Sequence, residues 1–205
     1  MKLPKTIGLA ALLMPLVAWS QAGDAAQTDG TDAPAASAGT DTAGTVKKPP
    51  AVSFPCQQQA EFRAFDFWLG EWEVRTADGR LAGHNSIKAA EQGCVLLENW
   101  RGAGGSTGMS VNYLDKSTGE WVQIWNDASG SQINIRGGLT DEGMLLVGRI
   151  HYIARGTTAA FRGLWTPLDD GRVRQFFEQS NDGGKNWSKW FEGFYSRIDQ
   201  SRQTD

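Results

Sequence analysis

The sequence predicts an all-β domain, an antiparallel up-and-down barrel of about ten strands with one short N-terminal helix. Three observations carry this. Turn signals such as Asp78-Gly79, Asp127 to Gly130 and Asp170-Gly171 recur at the short spacing of a meander. Only one segment, near the start of the domain, reads as a helix. No βαβ rhythm occurs, which removes the dinucleotide-binding α/β folds. Sequential antiparallel strands in this number close into a barrel or split into a sandwich. Closure abolishes exposed edges, so the barrel is the preferred expectation.

The helix is expected over residues 57–65. Gln57-Gln58-Gln59-Ala60-Glu61 are good helix formers, and Phe62 and Phe65 fall on one face. The aromatic stretch Phe65-Asp66-Phe67-Trp68-Leu69-Gly70-Glu71-Trp72-Glu73-Val74 then opens the barrel, and its large side chains are suited to plug one end. Strands follow over residues 67–76, 80–90, 94–101, 109–114, 120–126, 132–138, 144–154, 159–167, 172–179 and 187–198. Asp78-Gly79 is a favoured hairpin turn between the first two, and residues 102–108 form a Gly-rich loop.

Upstream, Lys2 and Lys5 precede an apolar run over residues 7–19, and the small residues Ala18, Ser20 and Ala22 follow. This is the pattern of a secretory signal peptide over residues 1–22. The run is shorter than the about 20 residues a membrane span requires. Residues 23–53 are mostly Ala, Gly, Thr, Asp and Ser, which cannot bury enough apolar surface to offset their ordering entropy. They read as a disordered tether ending in a stiff Pro49-Pro50. Residues 54–198 form the domain, and 199–205 a polar tail. Export makes the protein periplasmic or secreted. It also places Cys56 and Cys94 in an oxidising compartment, where a disulfide is the default. The net charge is −3 with no basic stripe, so nucleic acid is not an expected partner.

Several motifs carry chemistry in other settings. Gly104-Gly105-Ser106-Thr107-Gly108 matches G-x-S-x-G, but a nucleophile elbow needs a helix after the serine, and here a β run follows. Ser180-Asn181-Asp182-Gly183-Gly184-Lys185-Asn186-Trp187 resembles an Asp-box, a hairpin device in which the acid and serine bond the turn backbone. His84 and His151 are the two histidines. A zinc site needs more ligands than these, and no metal is expected. A haem needs one axial histidine, so haem held by His151, ahead of His84, stays the alternative to no cofactor.

Glu98, Glu178 and Glu192 lie within strands. Glu192 is expected to face water, while Glu98 and Glu178 could face either way. Nine tryptophans occur, of which Trp19 alone falls in the leader. Trp121, Gln123 and Trp125 share a strand face, as do Glu98 and Trp100. Aromatics with a few convergent polar groups suit an apolar ligand pocket, and equally a filled barrel core.

The opening stretch, Gly93-Cys94-Val95-Leu96-Leu97-Glu98-Asn99-Trp100, Gly119-Glu120-Trp121-Val122-Gln123-Ile124-Trp125 and Gly171-Arg172-Val173-Arg174-Gln175 through the Asp-box together resemble a family of uncharacterised exported bacterial proteins beginning FDFWLGEW. That resemblance implies no activity. Gly70 and Trp72 also resemble the G-x-W signature of lipocalins and other calycins, which implies a small calycin-like barrel that binds apolar ligands. The leading expectation is therefore a binder of a small, largely apolar molecule. Trp100, Trp125 and Trp165 would wall the site, and Glu98, Gln123 and Gln175 would orient the ligand. The alternatives are a hydrolase or isomerase using Glu98 or Glu178, a haem-binding barrel, and a structural module without a ligand.

Overall fold

The computed structural model describes residues 53–198. The expected leader, nearly all of the tether and the tail lie outside the described residues. Ten strands run in sequence: β1 (Gly70–Arg75), β2 (Leu81–Ala90), β3 (Val95–Gly102), β4 (Thr107–Asp115), β5 (Glu120–Asp127), β6 (Ser131–Thr140), β7 (Gly143–Tyr152), β8 (Thr157–Pro167), β9 (Val173–Ser180) and β10 (Ser188–Arg197). Each pairs antiparallel with its sequence neighbours, and β10 returns to β1, so the sheet is a closed up-and-down barrel. Side chains alternate between lumen and solvent along each strand. On β6, for example, Ser131, Ile133 and Ile135 are buried while Gln132, Asn134 and Arg136 are exposed.

The helical segment differs from the single helix expected over residues 57–65. It is one α-helical turn, α1 (Pro55–Gln58), followed by 3₁₀ turns at Ala60–Arg63 and Asp66–Trp68. Phe62, Phe65 and Trp68 recur every three residues, and all three are buried. The chain leaves α1 at Gln59, whose backbone is extended, so no continuous helix carries the set. β1 starts at Gly70 rather than residue 67 because Trp68 still belongs to this plug.

The plug fills one end of the barrel. The Phe65 ring stacks on Trp68 at 5.0 Å and meets Trp165 and Trp121 edge-on at 5.3 and 5.6 Å. Trp121 Nε1 donates to the Glu61 carbonyl at 3.2 Å. The Cys56–Cys94 disulfide ties α1 to the chain just before β3, with a Cα–Cα distance of 5.0 Å.

Trp72 joins the plug to both strands of the seam. Its Nε1 donates to the Trp68 carbonyl at 2.9 Å. The Arg197 guanidinium lies 4.4 Å above its ring, and Arg197 Nη1 donates to the Leu69 carbonyl at 2.9 Å. Trp72 and Arg197 are direct partners in the β1–β10 ladder. Gly70 makes room for this arrangement. Its φ of +140° suits glycine, and a Cβ there would lie 2.5 Å from Arg197 Nη1.

Trp72→Ala should lower the unfolding free energy by about 3–5 kcal/mol, read from denaturant midpoints. A loss under about 1 kcal/mol would mean that closure does not rest on this residue. The disulfide spans 38 residues, for which the chain-entropy model gives about 4 kcal/mol. The Cys56→Ser/Cys94→Ser variant should lose stability of that order, and an unchanged midpoint would refute the estimate.

Candidate functional site: a cavity at the open end of the barrel

Opposite the plug, the lumen holds a cavity of about 290 Å³. Strand parity determines what faces it. β3 turns Leu96, Glu98 and Trp100 inward, β5 Trp121, Gln123 and Trp125, and β9 Val173, Gln175 and Phe177. Leu96, Trp121 and Val173 are the deep members of these sets, and the later residues line the cavity. Trp100, Trp125, Phe177, Phe191 and Ile133 form its walls, with Ala82, Ser106 and Trp190 toward the solvent side. Glu98, Gln123, Gln175 and Tyr195, all nearly inaccessible, form the floor.

A β-bulge completes the mouth. The β9–β10 register shifts between Lys189 and Phe191, which leaves Trp190 without a pairing partner. Both Trp190 and Phe191 then reach the cavity, as bulges permit by re-aiming a side chain. Trp190 is 42% exposed, and its Nε1 donates to the Tyr152 hydroxyl at 3.0 Å. Close packing fixes the walls too. A Cβ on Gly108 would lie 2.2 Å from the Trp125 ring, so a side chain there would push that wall inward.

The floor is organised around Glu98, which is 3% exposed. Its Oε1 accepts from Asn85 Nδ2 at 2.7 Å. Its Oε2 accepts from Ser110 Oγ at 2.6 Å and, more weakly, from Gln123 Nε2 at 3.5 Å. Asn112 Nδ2 donates to Ser110 Oγ at 2.8 Å, and Gln123 Nε2 to Asn112 Oδ1 at 3.0 Å. Asn85 Nδ2 also reaches the Tyr195 hydroxyl at 3.2 Å, and that hydroxyl donates to Gln175 Oε1. Every donor to the carboxylate is neutral. Burial therefore dominates and pushes Glu98 up to about 7, against the opposing hydrogen bonds from Ser110 and Asn85. Burial, helped by the charge of Glu98, holds Tyr195 well above its ordinary value, so it remains a neutral hydroxyl.

Five of the six expected site residues, Glu98, Trp100, Gln123, Trp125 and Gln175, line this one cavity. Trp165 does not. It lies one layer deeper, fully buried against Phe65, Trp68 and Phe177, as part of the plug packing. Glu178 lies on the outer face, where Arg162 Nε bonds it at 2.7 Å, so it cannot serve the cavity. Glu192 is likewise outside, held by Arg174 at 2.7 Å and Lys189 at 3.2 Å. His84 is exposed, and His151 pairs through Nδ1 with Thr158 Oγ1 at 2.8 Å on the outer face. Both side chains thus lie on the outer face, away from the cavity.

Sequence reasoning missed Asn85, Ser110, Asn112 and Tyr195. The register carries the missing signal: Ser110 lies opposite Glu98, and Asn112 opposite Leu96 and Gln123. Small polar residues within a strand otherwise read as a solvent face.

Ser106 sits at the rim, and the chain passes directly from it into β4, so no elbow forms. The Asp-box is a turn device. Asp182 Oδ1 accepts from the backbone N–H groups of Lys185 and Asn186 at 3.0 and 2.9 Å and from Ser180 Oγ at 2.7 Å, which holds its carboxyl far below the usual range. Among the described residues, no group of three or more His, Cys, Asp or Glu is placed to hold a metal ion. No known family model matches the chain, and no curated protein matches it.

The raised pKa of Glu98 has a signed consequence for stability. Its folded value of about 7 exceeds the reference 4.5. The folded state therefore holds the extra proton, and this stabilisation is full below 4.5 and lost as pH rises through 7. The interval corresponds to roughly 3 kcal/mol. Plotting the stability of Glu98→Gln minus wild type against pH should give a rise of this order between pH 4.5 and 7. Other titrating groups cancel in that difference, and a flat line would rule out the shift.

Proposed function

We propose that this is an exported barrel protein that binds a small, largely apolar molecule in the open end of its lumen. The observation that carries the reading is the cavity itself. It has aromatic walls, a hydrogen-bonded polar floor and a plug that leaves one end for entry. Its volume of about 290 Å³ lies at the small end of the range for ligand pockets. A filled lumen would have favoured a purely structural module. Export is supported by the leader-like sequence and is consistent with the Cys56–Cys94 disulfide. No described helix is long and apolar enough to cross a membrane.

A second reading, an isomerase that moves a proton within its substrate, is favoured by one observation. Glu98 has a pKa near neutrality, as a general base requires. Hydrolysis by a carboxylate pair has less support, since among the described residues Glu98 is the one acid lining the cavity.

Native mass spectrometry of protein purified from its own host should reveal a retained small molecule. Ala82 offers the control because it lines the cavity away from the Glu98 network. Ala82→Phe should fold, obstruct the mouth and weaken uptake of the retained molecule at least about tenfold, or 1.4 kcal/mol. Wild-type affinity in a folded Ala82→Phe protein would place the binding site elsewhere.

A further inference from the structure

Glu98 is an anion site without a cation. Asn85, Ser110, Asn112, Gln123, Gln175 and Tyr195 surround it from β2, β4, β5, β9 and β10, and all are neutral side chains. Lys88 and His84, the basic residues of the neighbouring β2 strand, are exposed on the outer face. No Lys, Arg or His lines the cavity among the described residues. A carboxylate offers about four acceptor positions. Three donors reach Glu98, one on Oε1 and two on Oε2, the last at 3.5 Å. An acceptor position therefore remains on a group that borders the cavity. The floor thus combines an open acceptor position on Glu98 with uncompensated negative charge, while Trp125 Nε1 on the wall is a buried donor without a partner.

Above this floor stand the rings of Trp100, Trp125, Trp190 and Phe191. Aromatic faces attract cations and disfavour anions. A buried unpaired carboxylate is costly, and a cation that arrives with its own donors converts it into a hydrogen-bonded pair. A ligand carboxylate would instead meet Glu98 as a like charge.

We propose that the molecule bound in this cavity is a small amine, an apolar body carrying a protonated amino group that docks on Glu98. This rests on the binding reading above and narrows it to one ligand class. A primary ammonium brings three donors and no acceptor, which suits the open acceptor position and the charge of Glu98. Its apolar body lies among the aromatic walls. A neutral ligand that donates only a hydroxyl leaves the charge of Glu98 unpaired.

The test uses phenethylamine, phenethyl alcohol and phenylacetate, measured by isothermal titration against wild type and Glu98→Gln. The amine should bind wild type at least about tenfold more tightly than the alcohol, 1.4 kcal/mol, and phenylacetate should bind most weakly. In Glu98→Gln the amine and the alcohol should become equal. Wild type supplies a readout that does not depend on that variant folding. Among the described residues Tyr195 is the one titratable side chain facing Glu98, and it stays neutral. Amine affinity should therefore rise as pH passes through the Glu98 range near 7 and then level off, while alcohol affinity stays flat. Equal binding of amine and alcohol, or a flat pH profile for the amine, would overturn the amine assignment and leave the binding reading intact. Failure of all three probes to bind at about 1 mM, together with a host-purified protein that retains nothing, would overturn both.

Discussion

A sheet of ten strands closes only if its last strand finds its first, and in this protein one pair of that seam, Trp72 and Arg197, also reaches the plug. Trp72 on β1 is covered by Arg197 on β10 and bonded to the backbone of the plug at Trp68. Arg197 in turn bonds the plug at Leu69. The seam and the plug are therefore one structure. The chain segment that fills the lumen also supplies the acceptors that fix the seam. Loss of the contact would weaken the seam and the plug together, although the other ladder pairs and the disulfide still hold each of them. A cation–π contact with an exposed guanidinium is worth about 0.5–1 kcal/mol, and here it sits on a ladder pair of the closing strands.

Plugging one end fixes what the other end can be. Trp68, Trp121 and Trp165 fill the first layers completely, and Leu96, Ile135 and Leu146 continue the apolar core. Beyond them the inward positions change character. Large apolar residues give way to Glu98, Ser110, Gln123 and Gln175, then to the ring of aromatics at the mouth. Phe177 spans the change, touching Trp165 on the plug side and Trp190 at the mouth. The lumen is thus two compartments with different chemistry, a dry core that stabilises the barrel and a polar-floored cavity that does not.

Much of this was legible in the sequence. Turn residues at Asp78, Asp115, Asp127 and Asp170 separate the strands, and strand parity paired Glu98 with Trp100 and Gln123 with Trp125. What parity lacked was an origin, since alternation alone does not say which face is interior. Trp165 shows the second limit. It faces inward like Trp125, yet it serves the plug, because depth along the barrel axis depends on register and tilt rather than on residue type. Arg197 carries no signal in the sequence, where a lone basic residue reads as solvated. Asn85 and Ser110 were overlooked because their role depends on lying beside Glu98, which only the strand pairing reveals.

The placement of Glu98 is hard to explain by folding alone. Its cross-strand neighbour Ile87 is an aliphatic fully buried in the same core. An aliphatic residue at position 98 would need no partners, whereas the carboxylate recruits Asn85, Ser110 and Gln123, and Asn112 further out, to satisfy it. Those donors reduce the penalty without cancelling it, since the pKa remains raised to about 7. Replacing buried charge by well-packed apolar groups is often neutral or stabilising. The polar floor is thus a local departure from what a stable barrel needs, at the one place where the lumen is open. Departures of that kind concentrate where a protein meets another molecule. That physical economy, more than the barrel shape, directs attention to the cavity and to the charge at its base.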